Sequence, residues 1–443
     1  MNLKPDTLAR RDASPFAFDE QSTSSFQGIQ RSLSMRIAVV GNHLPRECGI
    51  ATFTKDLCDA IAVKYGAAGV FVVAVNDPQS RYSYPPRVRF QTAESDLASY
   101  QAAADFLNSS EVDLVCLQHE YGIFGGKSGR YVLRLLEHLK MPVVTTLHTV
   151  LREPDIDQLL VLQEIAARSN RLIVMSEHSS QFLQDVFRVQ GEKIDRIPHG
   201  IPDVPFAEPT LYNNSPSAKE KTVLLTFGLL SPNKGFENVI LALPRILSQH
   251  SDVVYIIAGA THPHVKRREG DRYRLKLQAL ARELGVSKSV IFHNRFFSSR
   301  EMASLIGSAD IYVTPYSHEA QAVSGTLAYA LGSGKAIIST PYWHATELLN
   351  DGRGALVPFA DPAAIADTAI ELLDNDAARE AMRKRAYLYA RHMVWDRVAQ
   401  SYMQAFVRAC ANRMHPARVT FPIHAAERNA TSRLTNASAL FQR

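Results

Sequence analysis

The residues of this chain best suited to chemistry sit in short polar stretches that follow apolar runs. Lys234 precedes Gly235 where a helical pattern begins, which sets a cation beside backbone N–H groups and makes an anion site. Ser324-Gly325-Thr326 occupies a similar helix start; its glycine permits close approach and its hydroxyls can donate to phosphate oxygens. Two such starts facing one cleft would suit a diphosphate. His43, His119, His148 and His344 also fall just after apolar runs, with Glu120 and Glu319 in stretches of the same kind. There, imidazole and carboxylate groups can orient hydroxyls or move protons. Each residue alone has a plainer reading: a solvated lysine, a helix cap or a packed histidine. Their joint placement is what points to a site.

The elements that must position them alternate along the chain. Residues 1–34 are polar and aperiodic and read as a flexible leader. From Met35 onward short apolar runs at 35–40, 70–75, 112–118, 143–147 and 171–175 read as strands. Helical patterns lie between them, near Leu97–Leu107, Ser128–Leu139 and Ile156–Arg168. A segment with four prolines, 201–221, interrupts this series. Strands then resume at 222–228, 253–259, 290–293, 310–315, 336–340 and 354–358, and three helical patterns close the chain. Strands apolar throughout, separated by helices, imply parallel sheets covered on both faces. The expected organisation is therefore a domain over 35–203, a linker over 204–221, a second domain over 222–394, a last helix over 395–410 and a basic, disordered tail over 411–443. Open sheets of this kind bind ligands beyond the C-terminal ends of their strands, where all the residues above fall.

Composition excludes several classes. Of 443 residues, 46% are hydrophobic and 21% charged, an ordinary globular balance. The net charge of +5 is mostly that of the last 33 residues, which hold five Arg and one Glu, so the folded part carries no basic signature of nucleic-acid binding. Cys48, Cys58, Cys116 and Cys410 are scattered and form neither a disulfide framework nor a zinc pattern. The beginning of the chain has no secretory h-region and no run approaches the ~20 apolar residues of a membrane span. A cytoplasmic protein is expected, at most touching the inner face of a membrane.

Three motifs are decoys. GIFGGKS at 122–128 is one residue short of a phosphate-binding P-loop, and the turn after the first strand lacks G-x-G-x-x-G. Asp155-Ile156-Asp157 and Asp374-Asn375-Asp376 match a loose D-x-D metal pattern but lie at helix boundaries, where such side chains cap N–H groups. No metal is expected.

From Met35 to about Arg408 the chain resembles family 4 of the retaining glycosyltransferases, whose GT-B fold is two facing Rossmann-like domains. The resemblance rests on PRECGIATFT, TTLHTV, IPHGI, FGLLSPNKGFENVILAL and TELLNDGRGALVPFADPAAIADTAIELL, and on Trp395 before the final helix. It implies that Lys234 contacts a donor diphosphate, that His148 lies near the donor sugar, and that Gly49 stands in a glycine motif of the first loop. The last helix would cross back to the first domain. Gln321 and Tyr329 stand where the family's E-x7-E motif has two Glu. Gln321 could still bond sugar hydroxyls, with Glu319 close by, and Tyr329 could hold the ribose only weakly. Leu229 replaces an Arg that often precedes the Lys-Gly, and Arg295 is the candidate to restore that charge.

The expected activity is metal-independent, cofactor-free transfer of a hexose from a GDP- or UDP-sugar to a glycan, lipid or small-molecule acceptor, with retention. His148, Lys234 and Arg295 would be catalytic. Gly49, Lys234, Gln321, Ser324, Gly325, Thr326 and Tyr329 would bind the donor, and His119, Glu120 and Glu319 would contact sugars. Two alternatives share the fold: a non-catalytic sugar-nucleotide-binding protein, and a sugar-nucleotide epimerase using His119, Glu120 or Glu319.

Overall fold

The computed structural model describes residues 35–78, 81–208 and 221–411. The expected leader, most of the linker and the basic tail beyond 411 lie outside the described residues.

The first sheet holds β1 (Ile37–Gly41), β2 (Val70–Asn76), β3 (Val88–Ala93), β4 (Leu114–His119), β5 (Val143–Leu147), β6 (Arg171–Val174) and β7 (Ile194–Arg196). Its order is β3-β2-β1-β4-β5-β6-β7, all parallel. The second holds β8 (Thr222–Phe227), β9 (Val253–Ala258), β10 (Val290–His293), β11 (Ile311–Thr314), β12 (Ala336–Ser339) and β13 (Ala355–Leu356). It is also parallel, in the order β10-β9-β8-β11-β12-β13. Strands β1, β4, β5 and β9 are buried along their whole length, as helices on both faces of a sheet require. In each sheet the order reverses beside the first strand, between β1 and β4 and between β8 and β11, and a crevice opens at that point. The expected pair of doubly wound α/β units is present.

The departures from expectation have local causes. β3 and β7 do not appear in the apolar pattern. β3 is an edge strand whose residues alternate in exposure and include Arg89, and β7 has three residues. The helix expected from Ser128 begins only at Val132, because Ser128 and Gly129 take φ of 53° and 77°. The P-loop look-alike is structural, and Lys127 pairs with Asp157. Both D-x-D stretches act at helix ends: Asp155 forms a capping box with Gln158, and Asn375 caps the helix Asp376–Ala390.

The helix Trp395–Ala411 follows the second unit in sequence but buries Val398, Tyr402, Met403 and Phe406 in the core of the first sheet. Tyr402 bonds Thr146 of β5 at 3.0 Å. The chain thus crosses between the units twice, and the strands of that crossing bond each other: Ile201 N–H donates to Met393 O and Trp395 N–H to Ile201 O, both at 3.0 Å. Side chains add two further ties. Glu347 accepts the N–H groups of Glu177 and His178 at 2.9 Å each, at the N-terminus of the helix Glu177–Asp185, where the macrodipole favours an anion. Asp56 accepts from Tyr329 and Ser299 at 3.3 Å.

Gly200 sits tightly in this crossing, since a Cβ there would come within 2.2 Å of the Trp395 ring. Gly200→Ala is expected to lower unfolding free energy by about 1–3 kcal/mol, the usual cost of overpacking. Urea denaturation measures it, and an unchanged midpoint would contradict the packing described.

Candidate active site

A cleft of about 1120 Å³ lies between the units, lined by loops at the C-terminal ends of both sheets. It brings together Gly49, Glu120 and His148 from the first unit with Lys234, Arg295, Gln321, Ser324, Gly325, Thr326 and Tyr329 from the second. His119 and Glu319 are not among its lining residues.

Lys234 ends a single turn that Gly235 closes with φ of 63°; a Cβ there would come within 2.0 Å of Pro315 O. Only glycine fits that left-handed, crowded position, which explains the Lys-Gly pair. The Lys234 ammonium lies 3.7 Å over the Tyr316 ring, a cation–π contact. The Tyr316 hydroxyl is 3.4 Å from Ser324 Oγ, so one tyrosine separates the two helix starts named by the sequence. Ser324 caps the helix Gly325–Gly332 through Leu327 N–H, and its own N–H donates to His344 Nδ1 at 2.9 Å. The first-turn amides of Gly325 and Thr326 then have no acceptor within the helix. Burial pushes His344 down to about 3, so the acceptor it offers Ser324 persists at neutral pH. Its place is to hold the helix start.

His148 rests edge-on against Phe53, ring centroids 4.9 Å apart. Its Nε2 donates to Gln118 Oε1 at 2.9 Å, and the Gln118 amide nitrogen donates to Cys116 Sγ and Thr146 Oγ1. That pattern assigns the tautomer and leaves Nδ1 as an acceptor for a hydroxyl. Burial, with His199 and His119 nearby, pushes His148 down to about 3. Glu120 accepts from Tyr121 N–H and from Thr149 Oγ1 at 2.9 and 2.5 Å, and burial raises its carboxyl above the ordinary value. Gly49 opens the helix Gly49–Tyr65, and a side chain there would meet open space.

Several expectations require correction. His119 is fully buried, with its ring stacked on Phe124 at 6.0 Å, so it cannot touch a sugar in the cleft. Its contribution is a backbone carbonyl that accepts from His148 N–H at 3.0 Å. Glu319 is exposed, 3.7 Å from Arg152, away from the cleft lining. Both corrections remove groups that an epimerase would use. Tyr329 lines the cleft, but its hydroxyl is given to Asp56, which occupies the group that would have met a ribose. Gln321 donates to Val323 O at 2.6 Å and keeps its amide oxygen for a ligand. Arg295 stacks 4.0 Å over Phe297 and pairs with Glu301 at 2.8 Å, so its charge is shared. Gln118, Asp56 and Tyr316 were not singled out from sequence, since their parts depend on neighbours far away along the chain. Among the described residues no group of three or more His, Cys, Asp or Glu is arranged to hold a metal ion, and no helix is long and apolar enough to cross a membrane.

Comparison with known proteins gives two family matches: Glycosyltransferase Family 4 over residues 48–203 and Glycosyl transferases group 1 over 208–389. Phosphatidyl-myo-inositol mannosyltransferase of Mycobacterium tuberculosis is 28% identical over 224 residues, covering 49% of this chain and 54% of the relative. The chain thus spans about half the length of that relative. D-inositol 3-phosphate glycosyltransferase of Xylanimonas cellulosilytica is 26% identical over 306 residues, 64% of this chain and 69% of the relative. Among solved structures, sucrose-phosphate synthase of Thermosynechococcus elongatus superposes with a TM-score of 0.68 at 18% identity, over 85% of this chain and 99% of that one. Anabaena HepE, solved with UDP, gives 0.63 at 17% identity, over 84% and 99%. These superpositions speak for the fold.

The buried rings set an acid limit on stability. His119, His199 and His344 are held down to about 3, 4 and 3 by burial, against 6.5 when unfolded. A depressed histidine stabilises fully above its unfolded value, and that contribution is lost as pH falls from there towards the folded value. Each ring should cost about 1.4 kcal/mol per pH unit below 6.5. The raised carboxyls of Asp56 and Glu120 work in the opposite sense but are fewer than the depressed rings, so the window to read is about pH 7.5 to 5.5, around the unfolded histidine value. Urea unfolding across it should show falling stability; a flat or rising curve contradicts neutral, buried rings.

Proposed function

Because the chain belongs to the group 1 glycosyltransferases, with a family 4 first half, we propose that it moves a hexose from a GDP- or UDP-sugar to an acceptor hydroxyl, with retention and without a metal. The observation that carries this reading is the convergence of Lys234 and the Gly325–Gly332 helix start on one side of a cleft whose other side presents His148. The diphosphate lies on the lysine and the amides of Gly325 and Thr326. The hexose lies towards His148 and the Gln321 amide oxygen. The acceptor oxygen bonds to the anomeric carbon on the face the diphosphate leaves, the bond to the diphosphate breaks, and the acceptor proton passes to a departing diphosphate oxygen. No protein base is needed, so the departure from the two-glutamate motif does not remove a step. Catalysis is then positioning and charge stabilisation.

The comparisons support transfer of a sugar to an acceptor hydroxyl. By name, the M. tuberculosis relative mannosylates phosphatidyl-myo-inositol and the X. cellulosilytica relative acts on inositol 3-phosphate. HepE was solved with UDP-glucose. A cytoplasmic enzyme working at most on the surface of a membrane is consistent with these.

Lys234→Ala tests the assignment. It removes the cation facing charge that grows on the leaving group, a loss of ~2.7–4 kcal/mol when a comparable donor is removed. Turnover of radiolabelled UDP- and GDP-hexoses should fall by about a hundredfold to a thousandfold, with the melting temperature unchanged. A near-wild-type rate places the diphosphate elsewhere.

A further inference from the structure

The two walls of the cleft carry opposite charge. The second unit lines it with Lys234, Arg267 and Arg295, the last paired with Glu301 behind it, and with no carboxylate among the lining residues. The first unit lines it with Glu47, Asp77, Glu94 and Glu120 against a single cation, Arg46. That arginine is already committed: it bonds Asn42 Oδ1 and Val75 O at 3.2 and 3.0 Å, and pairs with Glu94 at 3.2 Å and Asp77 at 3.9 Å. The wall opposite the donor site is therefore acidic in net.

Two further features of this wall suit a sugar ring. Tyr82 lines the cleft beside the carboxylates, and its hydroxyl donates to Asp77 at 3.2 Å. An aromatic ring next to carboxylates offers an apolar face for C–H groups and strong acceptors for hydroxyls. There is also room, since a Cβ at Gly49 or Gly122 would meet nothing within 4 Å.

Resting on the transferase reading above, we propose that the acceptor presents saccharide hydroxyls and no phosphate or carboxylate near its reacting end. Carboxylates accept hydrogen bonds from hydroxyls at full strength but repel anions, so this wall selects by exclusion as well as by attraction. The charge division also orients the ternary complex. A nucleoside diphosphate is drawn to the second unit and kept off the first, leaving the acidic wall for the acceptor.

The test uses the full chain saturated with UDP or GDP on a glycan array holding neutral, uronate- or sialate-bearing, and phosphorylated members. Bound glycans should be those without negative charge. Binding chiefly to phosphorylated or carboxylated members overturns the proposal, and so does binding to none while the nucleotide still binds. Loss of nucleotide binding as well would instead bring down the transferase reading. Glu47 is exposed, so Glu47→Lys changes the wall without endangering the fold. It should raise binding of glucose 6-phosphate relative to glucose by about tenfold and leave nucleotide affinity unchanged. An unmoved ratio overturns the claim that the wall's charge chooses the acceptor.

Discussion

The ring of Phe53 is the contact on which the site depends. It is 2% exposed and belongs to the helix Gly49–Tyr65. Edge-on, it meets His148 at 4.9 Å, His199 of the chain crossing at 5.1 Å and Trp395 of the returning helix at 5.2 Å. One aromatic ring thus joins the cleft histidine to both segments that connect the units. Two doubly wound sheets can each fold around their own core, but a cleft between them exists only if their C-terminal edges are held face to face. The aromatic cluster, the Glu347 carboxylate on a helix N-terminus and the Asp56–Tyr329 bond hold them so.

Chemistry is divided between the units in a way that follows from their backbones. A diphosphate needs N–H groups and cations, and the second unit provides both at helix starts, with His344 locking one of them through Ser324. A sugar needs acceptors in fixed directions. The first unit provides a neutral imidazole whose tautomer is set by Gln118, itself fixed from Cys116 and Thr146. On the proposed transfer both sets are needed at once, so rigidity across the crossing matters as much as the groups themselves.

Much of this was legible in the sequence because buried parallel strands are apolar throughout, a pattern that survives without knowledge of neighbours. The edges were not: β3 alternates in exposure and β7 is three residues long. At the site, Lys234 and Ser324 could be read because glycine beside a helix start has a local cause. His119 was misplaced because a strand end does not say which face its side chain takes. Gln118 bonds the cleft histidine, while the next residue turns into the core against Phe124, the parity of a strand reversing from one position to the next. Tyr329 illustrates the other limit. Its partner, Asp56, lies 273 residues away, and nothing local marks either residue as a tie between units.

The measurement that bears most directly on this account is amide hydrogen exchange of the full chain with and without saturating UDP or GDP. If the diphosphate lies on the second unit's helix starts, exchange should slow at Lys234–Phe236 and Gly325–Leu327, with the loops carrying Asp77 and Glu94 unchanged. Protection confined to the first unit's loops, or absent from both helix starts while a nucleotide is bound, would contradict it.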